Sequence, residues 1–235
     1  MKKIVLKLII AWLLIAAPAG LAQQTEEPKS KLVPFHMALL KKGPKWTDAQ
    51  LPEMQKVLHQ HLVNVISMLD SGKAVIAGPL GDDGDLAGIF ILRAASAAEA
   101  KAWVDNDPAV KAGLFVAEMH PWLSEDIFKK RESPLKLTTV YLAFLTKGPN
   151  RTDKETPEVQ ELQKAHLANI KRLAEMKKLV VAGPFGDDGN LRGIFVFRVS
   201  SLPEAQELCA TDPMIKVGRL AVDLHPWQVP DGILP

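Results

Sequence analysis

The sequence predicts an α+β protein made of two similar modules, each with the element order β-α-β-β-α-β. Two observations support this prediction: a long internal repeat, and apolar runs that alternate with segments of helical periodicity inside each copy. Residues 32–122 align without a gap to residues 137–227 at an offset of 105, and 38 of the 91 aligned positions are identical. The chain therefore contains a duplication, and both copies are expected to fold alike.

Each copy begins with a predicted strand, residues 33–40 or 139–145, which ends at Lys-Gly-Pro. A helix follows, because apolar residues recur at helical spacing: 54, 58, 65 and 68 in one copy, 159, 162, 170 and 173 in the other. Two strands flank a Gly-Asp-Asp-Gly turn: 74–77 and 88–94, or 179–182 and 193–199. A second helix begins at a capping box, Ser96 or Ser201, and a last strand ends in His-Pro-Trp.

This order of elements is the ferredoxin-like arrangement, in which a four-stranded antiparallel sheet carries both helices on one face. The other face of such a sheet is apolar and must be covered. The two copies are joined by residues 123–136, and we expect their uncovered faces to pack together as a barrel-like pair within one chain. Further oligomerisation is left open.

The N-terminal residues have the three-part pattern of a secretory signal peptide. Lys2 and Lys3 precede an apolar run over residues 8–17, and small residues before position 23 predict cleavage after Ala22. The apolar run is shorter than the roughly 20 residues of a membrane span, although an uncleaved anchor is the alternative. We expect a periplasmic or secreted protein with no stable membrane span after processing.

Composition excludes several classes of function. The chain has 29 basic and 27 acidic residues, but without Lys2, Lys3 and Lys7 the basic residues number 26, which predicts no nucleic-acid surface. Its single cysteine, Cys209, excludes an internal disulfide and a thiolate metal cluster. Phosphate-binding, dinucleotide-binding, zinc-protease and nucleophile-elbow motifs are absent from the sequence, so we expect neither cofactor nor metal.

Two repeated pairs are the candidate catalytic residues: His61 with Asp107, and His166 with Asp212. Each histidine falls on the apolar stripe of its helix, where an imidazole can serve as general acid or base or can simply fill the helix–sheet layer. Each aspartate precedes a proline and is followed by a glycine six residues later, which is typical of a helix N-cap. The same carboxylate can instead orient the histidine, and spacing alone leaves both interpretations open.

The remaining candidates are weaker. His120 and Trp122, with His225 and Trp227, either line a pocket or anchor the last strand by burying the tryptophan. Asn64 and Asn169 are further pocket candidates. Asp82-Asp83 and Asp187-Asp188 could ligate a cation, but they lack the spaced ligands of a calcium loop and are sufficiently explained as turn residues.

The run from His61 through Ala-Gly-Pro (77–79) to Asp107-Pro108 and Gly113 resembles the YCII-related (YciI-like) family, and the second copy, from His166 to Gly218, does so equally. The resemblance implies a ferredoxin-like fold that pairs into a dimeric α/β barrel, similar in architecture to muconolactone isomerases. It also implies an active-site pair formed by His61 with Asp107 and by His166 with Asp212. Most members have no established reaction, and a few appear in the breakdown of halogenated aromatics. This chain departs from the family pattern in its predicted export and its fused modules.

Three functions are compatible with the sequence. The first is cofactor-free acid/base chemistry, of lyase or isomerase type, on a small organic acid or aromatic. The second is a periplasmic module that binds a small molecule without turnover. The third is a structural duplication whose pockets have lost their function.

Overall fold

The computed structural model describes residues 31–49 and 51–235, and the predicted signal peptide lies outside them. The first module contains β1 (Val33–Lys42), α1 (Pro52–Asp70), β2 (Ala74–Pro79), β3 (Leu86–Leu92), α2 (Ala97–Asp105), α3 (Pro108–Lys111) and β4 (Phe115–Ser124). The second repeats this order with β5 (Leu137–Lys147), α4 (Pro157–Glu175), β6 (Leu179–Pro184), β7 (Leu191–Phe197), α5 (Leu202–Ala210), α6 (Pro213–Lys216) and β8 (Leu220–Pro230). The predicted order of elements is confirmed in both copies.

Each module forms one four-stranded antiparallel sheet, ordered β2-β3-β1-β4 in the first and β6-β7-β5-β8 in the second. This is the predicted ferredoxin-like topology. Both faces of each sheet are buried, and alternate side chains of β5 go to different clusters. Ala143 and Leu145 belong to the cluster under the helices of the second module, whereas Leu142 and Phe144 belong to a cluster shared with the first module.

The shared cluster means that the two sheets pack face to face, as the uncovered apolar faces predict. The contact is closed at its edges by main-chain hydrogen bonds between modules. The amide of Gly81 donates to the carbonyl of Pro226, and the amide of Gly186 donates to that of Pro121, both at 2.8 Å. The chain thus builds a barrel-like pair, and the same contact occurs twice with the modules exchanged.

Trp122 and Trp227 anchor this contact between modules. Both are at most 1% exposed. Each indole N–H donates to a main-chain carbonyl of the other module at 3.1 Å, that of Gly183 or Gly78. A Cβ added to Gly78 would lie 1.7 Å from the carbonyl oxygen of Gln228, so the Ala-Gly-Pro motif carries glycine because the neighbouring strand leaves no room for a side chain.

The last strands run further than the His-Pro-Trp motif indicated. β4 continues to Ser124, which pairs with Val33, and β8 continues to Pro230, which pairs with Leu137. These residues lie in strands because partner strands are available there, which composition alone does not reveal. Among the helices of the described residues, none is long and apolar enough to cross a membrane.

Candidate active site

The structure brings His61 and Asp107 together across 46 residues of sequence. Nδ1 of His61 lies 2.8 Å from Oδ2 and 2.9 Å from Oδ1 of Asp107. His61 projects from α1, and Asp107 is the N-cap of the one-turn helix α3, which packs beside α1. The tight turn at the end of α2 therefore delivers a carboxylate to the apolar face of α1.

Asp107 caps α3 and holds His61 at the same time. Its Oδ1 accepts from the amide of Ala109 at 2.9 Å, and its Oδ2 accepts from Nδ2 of Asn64 at 2.8 Å. Asp107 is 0% exposed, and burial raises the pKa of its carboxyl. The hydrogen bond and positive charge of His61, with the bonds from Asn64 and Ala109, outweigh burial and lower the pKa below its usual value. Asp107 is therefore ionised at neutral pH.

An ionised carboxylate at Nδ1 fixes the tautomer of the neutral imidazole. Nδ1 carries the proton and donates a hydrogen bond to Asp107, which leaves the lone pair on Nε2. Among the described residues, Nε2 of His61 makes no hydrogen bond. It is not one of the buried polar atoms without a partner, so the atom is accessible. The arrangement supplies a base with one fixed nitrogen and one available nitrogen.

The second module repeats the pair with a different surrounding. Nδ1 of His166 lies 2.7 Å from Oδ2 of Asp212, and Asp212 caps α6 through the amide of Met214 at 2.9 Å. The amide of Asn169 is further from its carboxylate, at 3.4 Å. Arg172 donates to the side-chain oxygen Oδ1 of Asn169 at 2.8 Å, so the Asn169 side chain has a second hydrogen-bond partner.

A cavity of about 470 Å³ lies beside His61 in the first module, between α1 and the sheet. Its volume falls within the usual range for a small-molecule site. The wall is mostly apolar, and it includes Leu58, Leu62, Val65, Phe90 and Phe115. The polar groups of the wall are His61, Lys42, Asp48, Asp82 and Asp83. A further cavity, in the second module, is an open groove lined by residues 157, 158, 161, 162 and 165.

Two aromatic residues of this cavity escaped the sequence analysis. The rings of Trp46 and Phe115 stack with centroids 5.5 Å apart, and Phe115 meets the His61 ring edge-on at 5.4 Å. Both positions differ in the second copy, which has Arg151 and Leu220 there. The candidate His–Asp pairs occur in both copies, whereas Trp46 and Phe115 occur in the first copy only. An apolar residue exchanged for arginine between copies was the available signal.

The remaining histidine candidates lie at the contact between modules. Nδ1 of His120 is 2.7 Å from Oδ2 of Asp187, and Nδ1 of His225 is 2.5 Å from Oδ2 of Asp82. Each Asp-Asp turn thus meets a histidine of the other module. The cavity wall contains Asp82 but not His120, Trp122, His225 or Trp227. Asn64 is not part of the cavity wall, and it donates a hydrogen bond to the carboxylate of Asp107. Asn169 lies in the same position relative to Asp212.

Among the described residues, no group of three or more His, Cys, Asp or Glu side chains is placed to hold a metal ion. Cys209 is buried, and burial, with the nearby charge of Asp212, raises the pKa of its thiol to about 12. A thiol in this environment is a poor nucleophile. The ionisable groups of the cavity wall are His61, Lys42 and the carboxylates of Asp48, Asp82 and Asp83.

Comparison with protein families agrees with the repeat. The family model of the YCII-related domain matches twice, at residues 34–123 and 139–228. The chain belongs to the YCII-related domain family. Neither match extends to the N-terminal segment or to the end of the chain. No curated protein sequence matches this YCII-related chain.

Solved structures share the fold of the whole YCII-related pair. A mutant chlorite dismutase from Candidatus Nitrospira defluvii in complex with cyanide has a TM-score of 0.55 at 13% identity, over 85% of this chain and 91% of that one. A heme-binding protein from Thermus thermophilus has a TM-score of 0.52 at 14% identity, over 85% and 92%. A putative chlorite dismutase, TA0507, has a TM-score of 0.53 at 10% identity, over 84% and 95%. At these identities the likeness establishes the fold alone.

Proposed function

We propose that the first module is a cofactor-free acid/base site for a small organic acid or aromatic, with chemistry of lyase or isomerase type. The observation that carries this proposal is the position of His61, which lines a largely apolar cavity of about 470 Å³ while Asp107 holds its Nδ1. The same groups could serve a binding module without turnover, and the experiment below separates the two.

In the proposed reaction, Nε2 of His61 removes a proton from a carbon next to a carbonyl or from a phenolic hydroxyl. The imidazolium that forms is stabilised by the ionised Asp107 at Nδ1, and Asp107 keeps its own charge throughout. His61 then returns the proton to another atom of the same molecule, which gives an isomer. In the lyase variant, the electron pair left behind expels a leaving group, and His61 protonates that group.

The cavity wall suggests how a substrate is held. Trp46 and Phe115 offer aromatic surface for a planar ring, and the pair stacks beside His61. Lys42 supplies a cation for a carboxylate, and its Nζ lies 5.6 Å from the centre of the Trp46 ring. Among the described residues of the wall, Lys42 is the only basic side chain other than His61. A ring with a single acidic substituent matches this wall.

The test uses proton NMR in D₂O with a panel of β-keto acids, γ-lactones and hydroxybenzoates. The proposal predicts deuterium incorporation or conversion for at least one compound, reduced about 10²- to 10⁴-fold in His61→Gln. His59→Gln is the matched control, because His59 lies on the same helix and is exposed. Saturable binding that His61→Gln removes, without exchange of any compound, would favour the binding module instead.

We also propose that this chemistry takes place outside the cytoplasm. Support comes from residues 1–22, which combine a basic start, an apolar run and small residues before position 23. Expression of the full chain with a C-terminal tag should yield a periplasmic or secreted protein whose N-terminal sequence begins at Gln23. A cytoplasmic product that retains Met1 would contradict export.

A further inference from the structure

The second module carries three arginines where the first module is apolar. Arg151, Arg192 and Arg219 align with three residues of the first copy: Trp46, Ala87 and Leu114. Trp46 and Ala87 line the cavity beside His61, and Leu114 directly precedes Phe115, whose ring contacts His61. Since the copies fold alike, Arg151 and Arg192 take the positions in the second module that line the cavity in the first.

Main-chain contacts place the three arginines around the end of β5. The amide of Gly148 donates to the carbonyl of Arg219 at 3.0 Å, so Arg219 lies beside the loop that contains Arg151. The amide of Lys147 donates to the carbonyl of Asn190 at 2.9 Å. The start of β7, which contains Arg192, therefore lies on the side of β5 opposite to Arg219. One loop and two strand ends thus converge at this point.

The three positive charges outweigh the carboxylates near them, and none of the three arginines forms an ion pair in the described residues. Burial lowers the pKa of the Arg151 guanidinium, and the charges of Arg192 and Arg219 lower it further. Asp153 and Glu155 offset this only in part, because both are exposed. No ion pair within 4.0 Å joins any of the three arginines to a carboxylate in the described residues. Arg192 donates to the main-chain carbonyl oxygen of Asp187 at 3.2 Å, and its charge helps to lower the pKa of the Asp187 carboxyl, whose Oδ2 is hydrogen-bonded to His120.

Arg219 is the most buried of the three arginines, and its guanidinium has an unpaired donor. The residue is only 8% exposed. It donates to Oγ1 and the carbonyl oxygen of Thr152, at 3.2 Å and 3.0 Å. Its Nε is a buried donor without an acceptor. A buried charge that meets only neutral acceptors is costly, and an anion beside it would relieve both the charge and the unpaired N–H.

We propose that Arg151, Arg192 and Arg219 form an oxyanion site next to His166, which binds the carboxylate or phosphate group of a small ligand. Planar guanidinium groups suit such ligands because they donate two parallel hydrogen bonds to a carboxylate or phosphate. This goes beyond the acid/base proposal for the first module, since it assigns the second module a different ligand. The duplication then provides one largely apolar site and one cationic site.

The test is calorimetric titration of the mature chain with inorganic phosphate and, separately, with acetate, a carboxylate without the aromatic ring proposed for the first site. The site predicts saturable binding of at least one anion in the millimolar range or tighter, weakened about tenfold or more in both Arg151→Gln and Arg192→Gln. Arg198→Gln is the matched control, because Arg198 is exposed and follows the far end of β7. Circular dichroism checks that each variant folds. His61→Gln should leave this binding unchanged, so failure here is separable from failure of the first site.

The two probes distinguish the source of the oxyanion. Binding of acetate alone assigns an organic carboxylate, binding of phosphate alone assigns a phosphorylated ligand, and binding of both assigns a general oxyanion site. Absence of saturable binding for both anions would overturn the proposal. The proposal would also be overturned if Arg151→Gln and Arg192→Gln weaken binding no more than Arg198→Gln does. The cluster would then contribute only its general positive charge.

Discussion

Asp107 accepts hydrogen bonds from a helix N-terminus and from His61, so one carboxylate is both a structural cap and the group that orients a candidate base. The sequence suggested each role separately, because Asp-Pro with a later glycine is typical of a cap and because the family resemblance pairs the aspartate with the histidine. Their combination depends on how α3 packs against α1. No local pattern encodes that packing, so convergence could not be predicted from spacing.

The two roles of Asp107 can be separated by a pair of substitutions. In Asp107→Asn the amide oxygen can still accept from Ala109, so this variant should be about 1 kcal/mol more stable than Asp107→Ala, measured by urea unfolding. Asparagine replaces one of the two oxygens that face Nδ1 of His61 with an NH₂ group and removes the negative charge, so the proton is no longer held on Nδ1 and proton transfer should fall by about 10⁴-fold. Equal stability of both variants would contradict capping, and full exchange activity in Asp107→Asn would contradict the orienting role.

The lowered pKa of Asp107 predicts how stability depends on pH. Because the folded pKa lies below the ordinary value of 3.8, ionised Asp107 stabilises the folded chain fully above that value. The contribution is lost as the pH falls through the folded pKa. The free energy of unfolding should therefore decrease more steeply below about pH 4 in the wild type than in Asp107→Asn. If the free energies of unfolding of the wild type and Asp107→Asn, measured in urea, changed in parallel with pH, Asp107 would not be responsible for the loss of stability.

At the scale of elements, periodicity and capping patterns predicted the helices better than the strand ends. Ser96, Ser201 and Thr156 cap their helices, as their positions in the sequence indicate. The strands β4 and β8 extend beyond the predicted limit, because a strand lasts as long as its neighbour supplies partners. Helix ends are local properties of the chain, whereas strand ends depend on another segment.

The ends of α1 and α4 offer a direct test of backbone strain. Gly72 follows α1 with φ of 73°, and Lys177 takes the equivalent place after α4 with φ of 57°. A lysine in the left-handed region is strained, so Lys177→Gly should raise the free energy of unfolding by about 1 kcal/mol. Gly72→Ala should lower it by a similar amount because of the positive φ alone, since no atom lies within 4 Å of the new Cβ to add a clash. Changes of the opposite sign in urea unfolding would refute this account.

At the scale of the molecule, the repeat predicted two similar folds and the need to cover apolar sheet faces predicted their pairing. The sequence did not predict that Trp122 and Trp227 close the contact, or that each Asp-Asp turn meets a histidine of the other module. These contacts join residues separated by 61 to 149 positions, so only the pairing of the modules brings them together. The repeat also does not predict the differences between the two sites, where Trp46 and Phe115 are replaced by Arg151 and Leu220.

The contact between modules should be sensitive to a single methyl group. Gly78→Ala places a Cβ against the main chain of β8, and Gly183→Ala does the same against Leu123, 1.9 Å from its carbonyl oxygen. Each should cost about 3 kcal/mol, because backbone on both sides cannot move apart without opening the barrel. Gly84→Ala is the control, since its nearest neighbour is a side-chain oxygen at 3.4 Å. Unfolding in urea measures all three, and equal stabilities would contradict the close approach of the strands.

The measurement that bears most directly on the acid/base account is the tautomer of His61, observed by long-range proton–nitrogen NMR of the histidine rings. His61→Gln assigns the signal among the six histidines of the chain. At neutral pH the neutral ring should carry its proton on Nδ1 and a lone pair on Nε2, and this preference should be lost in Asp107→Asn. A His61 ring protonated on Nε2 in the wild type, or one unchanged by Asp107→Asn, would contradict the proposal that Asp107 prepares His61 as the base.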